Sequence, residues 1–440
     1  MSASNETPRV QSPMHRVLAN FWLLIRGRGA AALMSLGATA LMARALGPAE
    51  FGMVVLIQTY AMLVRGLFDF QPFEAVVRYG VPAHDIGDTP VLRRLIKVCR
   101  RVDHRTSLTA TALALMAAPL VGPSLGMDRE HVILLAAYSL VLLTTGTGTA
   151  SGILRLFDQF DTLGRQLAIA PILSFLGIIV AWWLDGPLAM FVAILAVAYV
   201  AENFYLSWHG RRQYRQHIGT APDGETGSNA TLAEFSGLRH FLWINYWQSN
   251  LDVLPKHLAT VLMSYLLGPA EAGLLRLARQ FSSLLAKPAA LVRQVVFLDL
   301  TRSWNQGSAA FQHVAYRTAM IGGGIGLVFV VVGYFFGEKL LAALVGEKFT
   351  AAAPVLTLML LAATFDLASS SLRSAAYAIG DAGKVLRMYV VSVTVYLTLF
   401  VALTLWTGLI GAGLAACISA AIPLVGMTLL IRNRGNARSP

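Results

Sequence analysis

Leu46–Gly52 reads LGPAEFG and Leu267–Gly273 reads LGPAEAG, six identities in seven at an offset of half the 440-residue chain. In each copy the Gly-Pro pair stops one helix, and the glutamate falls in the first turn of the next, where a carboxylate meets the positive end of the helix dipole. One tight turn used twice by chance is the simpler explanation. Its recurrence at the equivalent place in two halves favours a duplication.

The flanking sequence says what kind of halves these are. Of the residues, 56% are hydrophobic and only 13% charged, with a mean hydropathy of +0.61, whereas soluble domains carry about a quarter charged residues. Apolar stretches long enough to cross a bilayer recur about twelve times, from 19–45 and 51–72 through 241–266 and 272–297 to 410–431. Arg26 and Arg28 interrupt the first stretch and no small-residue cleavage site follows, so the first helix is expected to be retained. The pattern predicts an all-α polytopic membrane protein of two six-helix lobes, 1–208 and 241–440, around a central cavity, with 209–240 as a cytoplasmic linker. An even number of helices per half makes the lobes parallel, related by an axis along the membrane normal.

The net charge of +12 would suit a nucleic-acid binder if it were clustered for that purpose. Its distribution follows topology instead. With both termini inside, the outer connections hold only Arg44, Arg129, Lys339 and Lys348, and most other bases lie in the inner connections and their borders. This is the positive-inside pattern, and no nucleic-acid partner is expected. The inner segment 90–105, PVLRRLIKVCRRVDHR, places Leu92, Leu95, Ile96 and Cys99 on one helical face among Arg93, Arg94, Lys97, Arg100 and Arg101. It reads as a helix lying flat on the inner leaflet, or as a plain topogenic charge cluster. The linker carries HGRRQYRQ and then the polar GTAPDGETGSNA; its sequon at Asn229 has no weight on the inner side. The two cysteines, Cys99 and Cys417, make neither a disulfide framework nor a metal site, and no cofactor is expected.

Charges within the apolar stretches are costly and mark a pathway when they share faces. Arg276, Gln280, Ser283 and Lys287 follow i, i+4, i+7, i+11 spacing in the eighth stretch, with Arg279 beside them. The seventh aligns Asn245, Gln248, Ser249, Asp252 and Lys256, with a kink at Pro255; the second aligns Gln58, Arg65 and Asp69. The tenth aligns Asp366, Ser369, Ser370, Arg373 and Tyr377. Arg26 and Arg28 point to opposite sides of the first helix near the inner mouth, one into the cavity and one to headgroups, and which is which stays open. Glu202 and Asn203 lie within reach of the same cavity. Local pairs such as Arg65 with Asp69, or Asp252 with Lys256, would account for some charges. They do not account for the total: about eight intramembrane bases face roughly four acids, Asp69, Glu202, Asp252 and Asp366. A hydrated cationic cavity suits an anion, and phosphate or diphosphate suits arginine's bidentate grip.

These features resemble the polysaccharide-flippase (Wzx-like) branch of the multidrug/oligosaccharidyl-lipid/polysaccharide exporter superfamily. The resemblance rests on the LGP-x-x-[YF]-G turn at Leu46–Gly52 and on DFQPFEAVVRY at Asp69–Tyr79, which keeps Asp69 and Ala75–Tyr79 of a DLGL-x-x-A-[VL]-V-R-Y-like segment but departs at Gln71 and Pro72. The second half repeats an NLD…LLGP-x-x-x-G stretch at Asn250–Asp252 and Leu266–Gly273, and LVGEKFTAAAPVL at Leu344–Leu356 resembles the family's GE-x-[YF]-x-x-AAPVL segment. A proline usual after the eighth helix is absent around Phe297 and Leu298. The resemblance implies a flippase, not an enzyme, in the bacterial plasma (inner) membrane with both termini cytoplasmic. It would carry a polyprenyl-diphosphate-linked oligosaccharide outward by alternating access, with membrane lipids as partners and polysaccharide polymerase and assembly proteins as candidates. It points to Arg26, Arg65, Arg276 and Arg279, then Lys287 and Arg373, as diphosphate ligands. Asp69, Asp252 and Asp366 are left to couple an ion or to hold the arginines.

The rival readings differ in charge or in loops. An exporter of cationic drugs calls for an acidic cavity. Lipid II flippases usually carry two further helices. A membrane-embedded polysaccharide enzyme needs a sizeable aqueous loop bearing carboxylates or histidines, and the outer loops here are short.

Overall fold

Gly47 adopts φ 74° and ψ 174°, and Gly268, its counterpart in the second half, adopts φ 114°. These left-handed backbones break two otherwise continuous helical runs at the repeated motif, where a side chain would be strained. The computed structural model describes residues 13–219, 234–283, 308–379 and 381–436, all of them helix or connecting turn. In chain order these are α1 (Pro13–Gly66), α2 (Pro72–Asp85), α3 (Thr89–Ser124), α4 (Arg129–Ser139), α5 (Gly148–Leu156), α6 (Phe160–Trp183) and α7 (Leu188–His217). The second half holds α8 (Leu238–Leu267), α9 (269–283), α10 (Ser308–Leu344), α11 (Ala353–Ala378), α12 (Ala382–Thr407) and α13 (Leu409–Asn436). Helix α1 contains two crossings joined at Gly47. A 3-10 turn at Leu140–Thr144 links α4 to α5 within one crossing, Arg129–Leu156. With α9, the order holds about twelve crossings, as the apolar stretches predict.

Helix α3 corrects one expectation. It is a single 36-residue helix, about 54 Å long against a hydrocarbon core of about 30 Å, so its basic first half projects from the membrane-spanning part. Leu92, Leu95, Ile96 and Cys99 do not face lipid. They are buried with Ala75 and Val76 of α2, Ile153 of α5, and Leu238 and Leu242 of α8. The apolar face was read correctly, but other helices cover it. Asp88 caps this helix by accepting the Val91 N–H at 3.0 Å.

The two repeated motifs pack on each other. A Cβ at Gly52 would collide with the Pro269 carbonyl, and one at Gly273 would stand 3.0 Å from the Phe51 ring and 3.1 Å from the Gly52 Cα. Glycine at these two positions lets the backbones of the halves touch. Around this crossing lies one apolar core drawn from both halves, with Phe51, Val54 and Leu56 of α1, Ala272 and Leu275 of α9, and Phe349 before α11. Phe51 meets Phe349 edge to face at 5.9 Å, and the Ser264 hydroxyl donates to the Leu125 carbonyl at 3.1 Å. Away from this motif end the core divides. One cluster centres on α2, α3 and α5, another on α10 to α13.

Candidate functional site

Among the bases singled out in the sequence, Lys256 of α8, Arg276 and Arg279 of α9 and Arg373 of α11 line one cavity of about 740 Å³. Asp366 of α11 is the acid among them. The wall also holds Gln280 and Ser283 of α9, Ser370 of α11 and Ser392 of α12, and is completed from the first half by Ala32, Ser35 and Leu36 of α1. Gln280 ties the halves together there, donating to the Thr39 hydroxyl at 2.9 Å and the Ser35 carbonyl at 3.3 Å.

The arginines differ in what holds them. Arg279 is fixed by protein acceptors: the Lys256 carbonyl at 2.7 Å, the Thr260 hydroxyl at 3.1 Å and the Tyr396 hydroxyl at 3.3 Å. It staples α8 and α12 to α9. Arg373 lies over the Tyr389 ring at 4.4 Å, and its buried Nε has no protein acceptor among the described residues. Arg276 has neither a hydrogen bond nor an ion pair to any described residue. Two half-buried guanidinium groups in one cavity thus carry donors that no described residue takes up, and such donors suit water or an anionic ligand.

Arg65 and Asp69 stand elsewhere. They form an ion pair at 3.7 Å, and Arg65 also donates to the Tyr199 hydroxyl at 2.8 Å. Both line a second cavity of about 320 Å³ inside the first half, together with Gln71, Asp103, Gln166, Glu202 and Asn203. The expected shared face of four helices therefore resolves into two cavities of opposite balance. The larger has four bases and one acid, and the smaller has Arg65 against Asp69, Asp103 and Glu202. Helix α8 borders both. Its Lys256 lines the larger, its Ser249 hydrogen-bonds Gln71 of the smaller, and its His257 feels the charges of Arg276, Arg279, Lys256 and Arg65.

The side chains of Arg26, Arg28, Asp252 and Lys287 lie outside the described residues. Gln58 and Tyr377 take no part in either wall, and Tyr377 is 46% exposed. Among the described residues no three of His, Cys, Asp and Glu converge on a metal position. Sequence reasoning missed the aromatic partners Tyr199, Tyr389 and Tyr396, the buried Asp103, and His257. A signal existed for two of them: Tyr389, Ser392 and Tyr396 follow i, i+3, i+7 spacing in a stretch read as plain apolar span.

Comparison with known proteins agrees with this architecture. The chain is 27% identical over 326 residues to the inner membrane protein YghQ of Escherichia coli (strain K12), covering 72% of this chain and 89% of that one. Among solved structures it resembles an inward-facing multidrug resistance MATE family transporter of the MOP superfamily, at a TM-score of 0.69 and 14% identity, over 92% of this chain and 94% of that one. It resembles equally the lipid II flippase MurJ in its inward closed conformation, at a TM-score of 0.69 and 14% identity, over 93% and 87% of the two chains. At such identities the likeness establishes the fold. The family described as polysaccharide biosynthesis protein matches residues 17–297, which span the repeated motif and both cavities' first-half walls. A multi-pass helical chain with this duplicated turn, this fold and that match belongs to the polysaccharide biosynthesis protein family.

Proposed function

We propose that this protein is a flippase of the bacterial inner membrane that carries a polyprenyl-diphosphate-linked oligosaccharide from the inner to the outer leaflet. The observation that carries the proposal is the larger cavity, in which Lys256, Arg276, Arg279 and Arg373 outnumber Asp366. Such a site is costly to hold empty of counter-charge at membrane depth, and a diphosphate meets both the charge and the unused guanidinium donors. The lipid tail remains in the bilayer while the headgroup enters between the lobes 1–208 and 241–440, which the linker 209–240 joins. Alternating access is supported by the distribution of the core. The halves share one apolar core at the motif end; away from it α8 alone of the second half joins the cluster of α2, α3 and α5, while α10 to α13 form a cluster of their own. A rocking motion that parts α10 to α13 from the first half therefore opens that end while the motif end stays closed. With the motif end outside, the described state is closed to the outside. Within this scheme Arg276 and Arg373 grip the diphosphate. Arg279 and Gln280 hold the wall, Asp366 and Asp69 position arginines, and Arg26, Lys287 and Asp252 remain candidate contributors.

Deleting the gene in its host tests the proposal. Lipid-linked oligosaccharide is expected to accumulate on the inner leaflet while a surface polysaccharide disappears; unchanged polysaccharide would sink the assignment. Complementation with Arg276→Ala is expected to lower export by about ten- to a hundred-fold, the loss of one or two charge-assisted hydrogen bonds. Arg276→Lys keeps the charge but not the bidentate fork, and recovers only part. A cavity serving cationic drugs would instead gain from loss of Arg276.

A further inference from the structure

The smaller cavity is unlike the anion site next to it. Its charged wall is one arginine against three carboxylates, so a diphosphate is repelled there. The acids do not converge as a metal cage does. Asp103 accepts the Thr149 N–H at 2.7 Å, Asp69 pairs with Arg65 and accepts the Gln71 N–H at 3.1 Å, and the Gln166 amide donates to Glu202. The remaining wall mixes the amides Gln71, Gln166 and Asn203 with hydroxyls such as Ser151 and with the rings of Phe73 and Tyr199. Carboxylates and amides that hydrogen-bond hydroxyl groups, beside aromatic rings that take the apolar face of a pyranose, are the chemistry of a carbohydrate subsite. At about 320 Å³ the space lies at the small end of ligand pockets, roughly 300–1,000 Å³, and greatly exceeds what a bare ion fills.

We propose that this first-half cavity, walled by Gln166, Glu202, Asn203 and Phe73, binds the sugar end of the cargo while the cationic cavity holds its diphosphate. The inference rests on the flippase reading and adds a division of labour: the second half recognises the anchor common to all such lipids, and the first half recognises the glycan. The two sites border one helix. Ser249 of α8 bonds Gln71 of the smaller wall and Lys256, seven residues further along, lines the larger, so a diphosphate and the sugar attached to it have about 10 Å of one helix to span. Selectivity then follows from the smaller cavity, because a wall built to hydrogen-bond particular hydroxyls rejects a sugar that leaves those groups unpaired.

The test uses the full-length protein in nanodiscs and two probes, undecaprenyl diphosphate without sugar and the lipid-linked oligosaccharide accumulated by the deletion strain. Wild type is expected to bind the sugar-bearing lipid about ten-fold or more tightly than the bare one, the increment of one hydrogen-bonded subsite. Glu202→Ala and Gln166→Ala are expected to erase that increment and to leave affinity for the bare lipid unchanged, which also shows that the variants fold. Arg276→Ala is expected to weaken both probes alike. Equal affinity of wild type for the two lipids, or an increment retained in both variants, would overturn the inference while leaving the diphosphate site standing. Sodium binding abolished by Glu202→Ala, without any sugar increment, would assign the cavity to a cation and overturn it as well. Failure of wild type to bind either lipid would remove the flippase reading and this inference together.

Discussion

At the scale of single residues, intramembrane charges divide between those that hold the protein and those that remain for a ligand. Arg279 spends its guanidinium on three protein acceptors across α8 and α12, whereas Arg276 has no such partner among the described residues. Asp103 belongs with the holders. It is 4% exposed and accepts the Thr149 N–H in the first turn of α5, so a carboxylate from α3 caps a helix that its own sequence leaves uncapped. Asp103→Ala strands buried N–H donors and is expected to cost about 1–3 kcal/mol of stability. The readout is a lower Tm for purified protein, with part of the loss restored in Asp103→Asn, which keeps an acceptor oxygen. Lost export at an unchanged Tm would instead put Asp103 in the transport chemistry. None of this division was legible in the sequence, where Arg276 and Arg279 differ only by about 60° around one helix. What separates them is supplied by Tyr396, 117 residues away, and by a carbonyl on α8.

At the scale of elements, the repeated turn was the most readable feature and its role the least. Helical stops at Gly47 and Gly268 follow from glycine's tolerance of positive φ and from proline after it. That the two copies rest on each other follows from nothing local, because contact across a duplication needs both halves in place. Gly52→Ala tests the contact. Its methyl group would meet the Pro269 carbonyl, and overpacking of this kind costs typically 1–3 kcal/mol. The expected outcome is a lower Tm in the described state and faster thiol labelling of a cysteine placed at Ser264. Unchanged Tm and labelling would mean that the motifs do not touch in the membrane. Helix α3 teaches the same lesson from the other side. The apolar stripe of 90–105 is real, but periodicity reports that a face is covered and not by what, and here α2, α5 and α8 cover it where lipid was expected.

At the scale of the whole molecule, composition and hydropathy were enough for an all-α membrane chain of about twelve crossings, since the bilayer dictates span length. The cationic cavity was half legible: Lys256 of α8, Arg276, Gln280 and Ser283 of α9 and Asp366, Ser370 and Arg373 of α11 line one space, while Ser249 of α8 and the stripe ending α1 turn to a separate one, because helix rotation and crossing angle are not written in the helix that carries the stripe. Orientation depends on a different physical signal. Arg44, Arg129 and Lys348 sit near the motif end, whereas Arg93, Arg94, Lys97, Arg211, Arg212 and Arg215 crowd the other. Basic side chains near span ends resist translocation, so the crowded end is expected in the cytoplasm and the motif end outside. Both native cysteines are buried, which leaves a quiet background for thiol labelling. Lys348→Cys and Arg212→Cys replace exposed residues at opposite ends. In intact cells a membrane-impermeant maleimide is expected to label the cysteine at 348 and to reach the one at 212 only after permeabilisation. The reverse pattern would turn the molecule over. The state closed at the motif end would then be closed to the cytoplasm, and the step of the cycle it represents would be the opposite one.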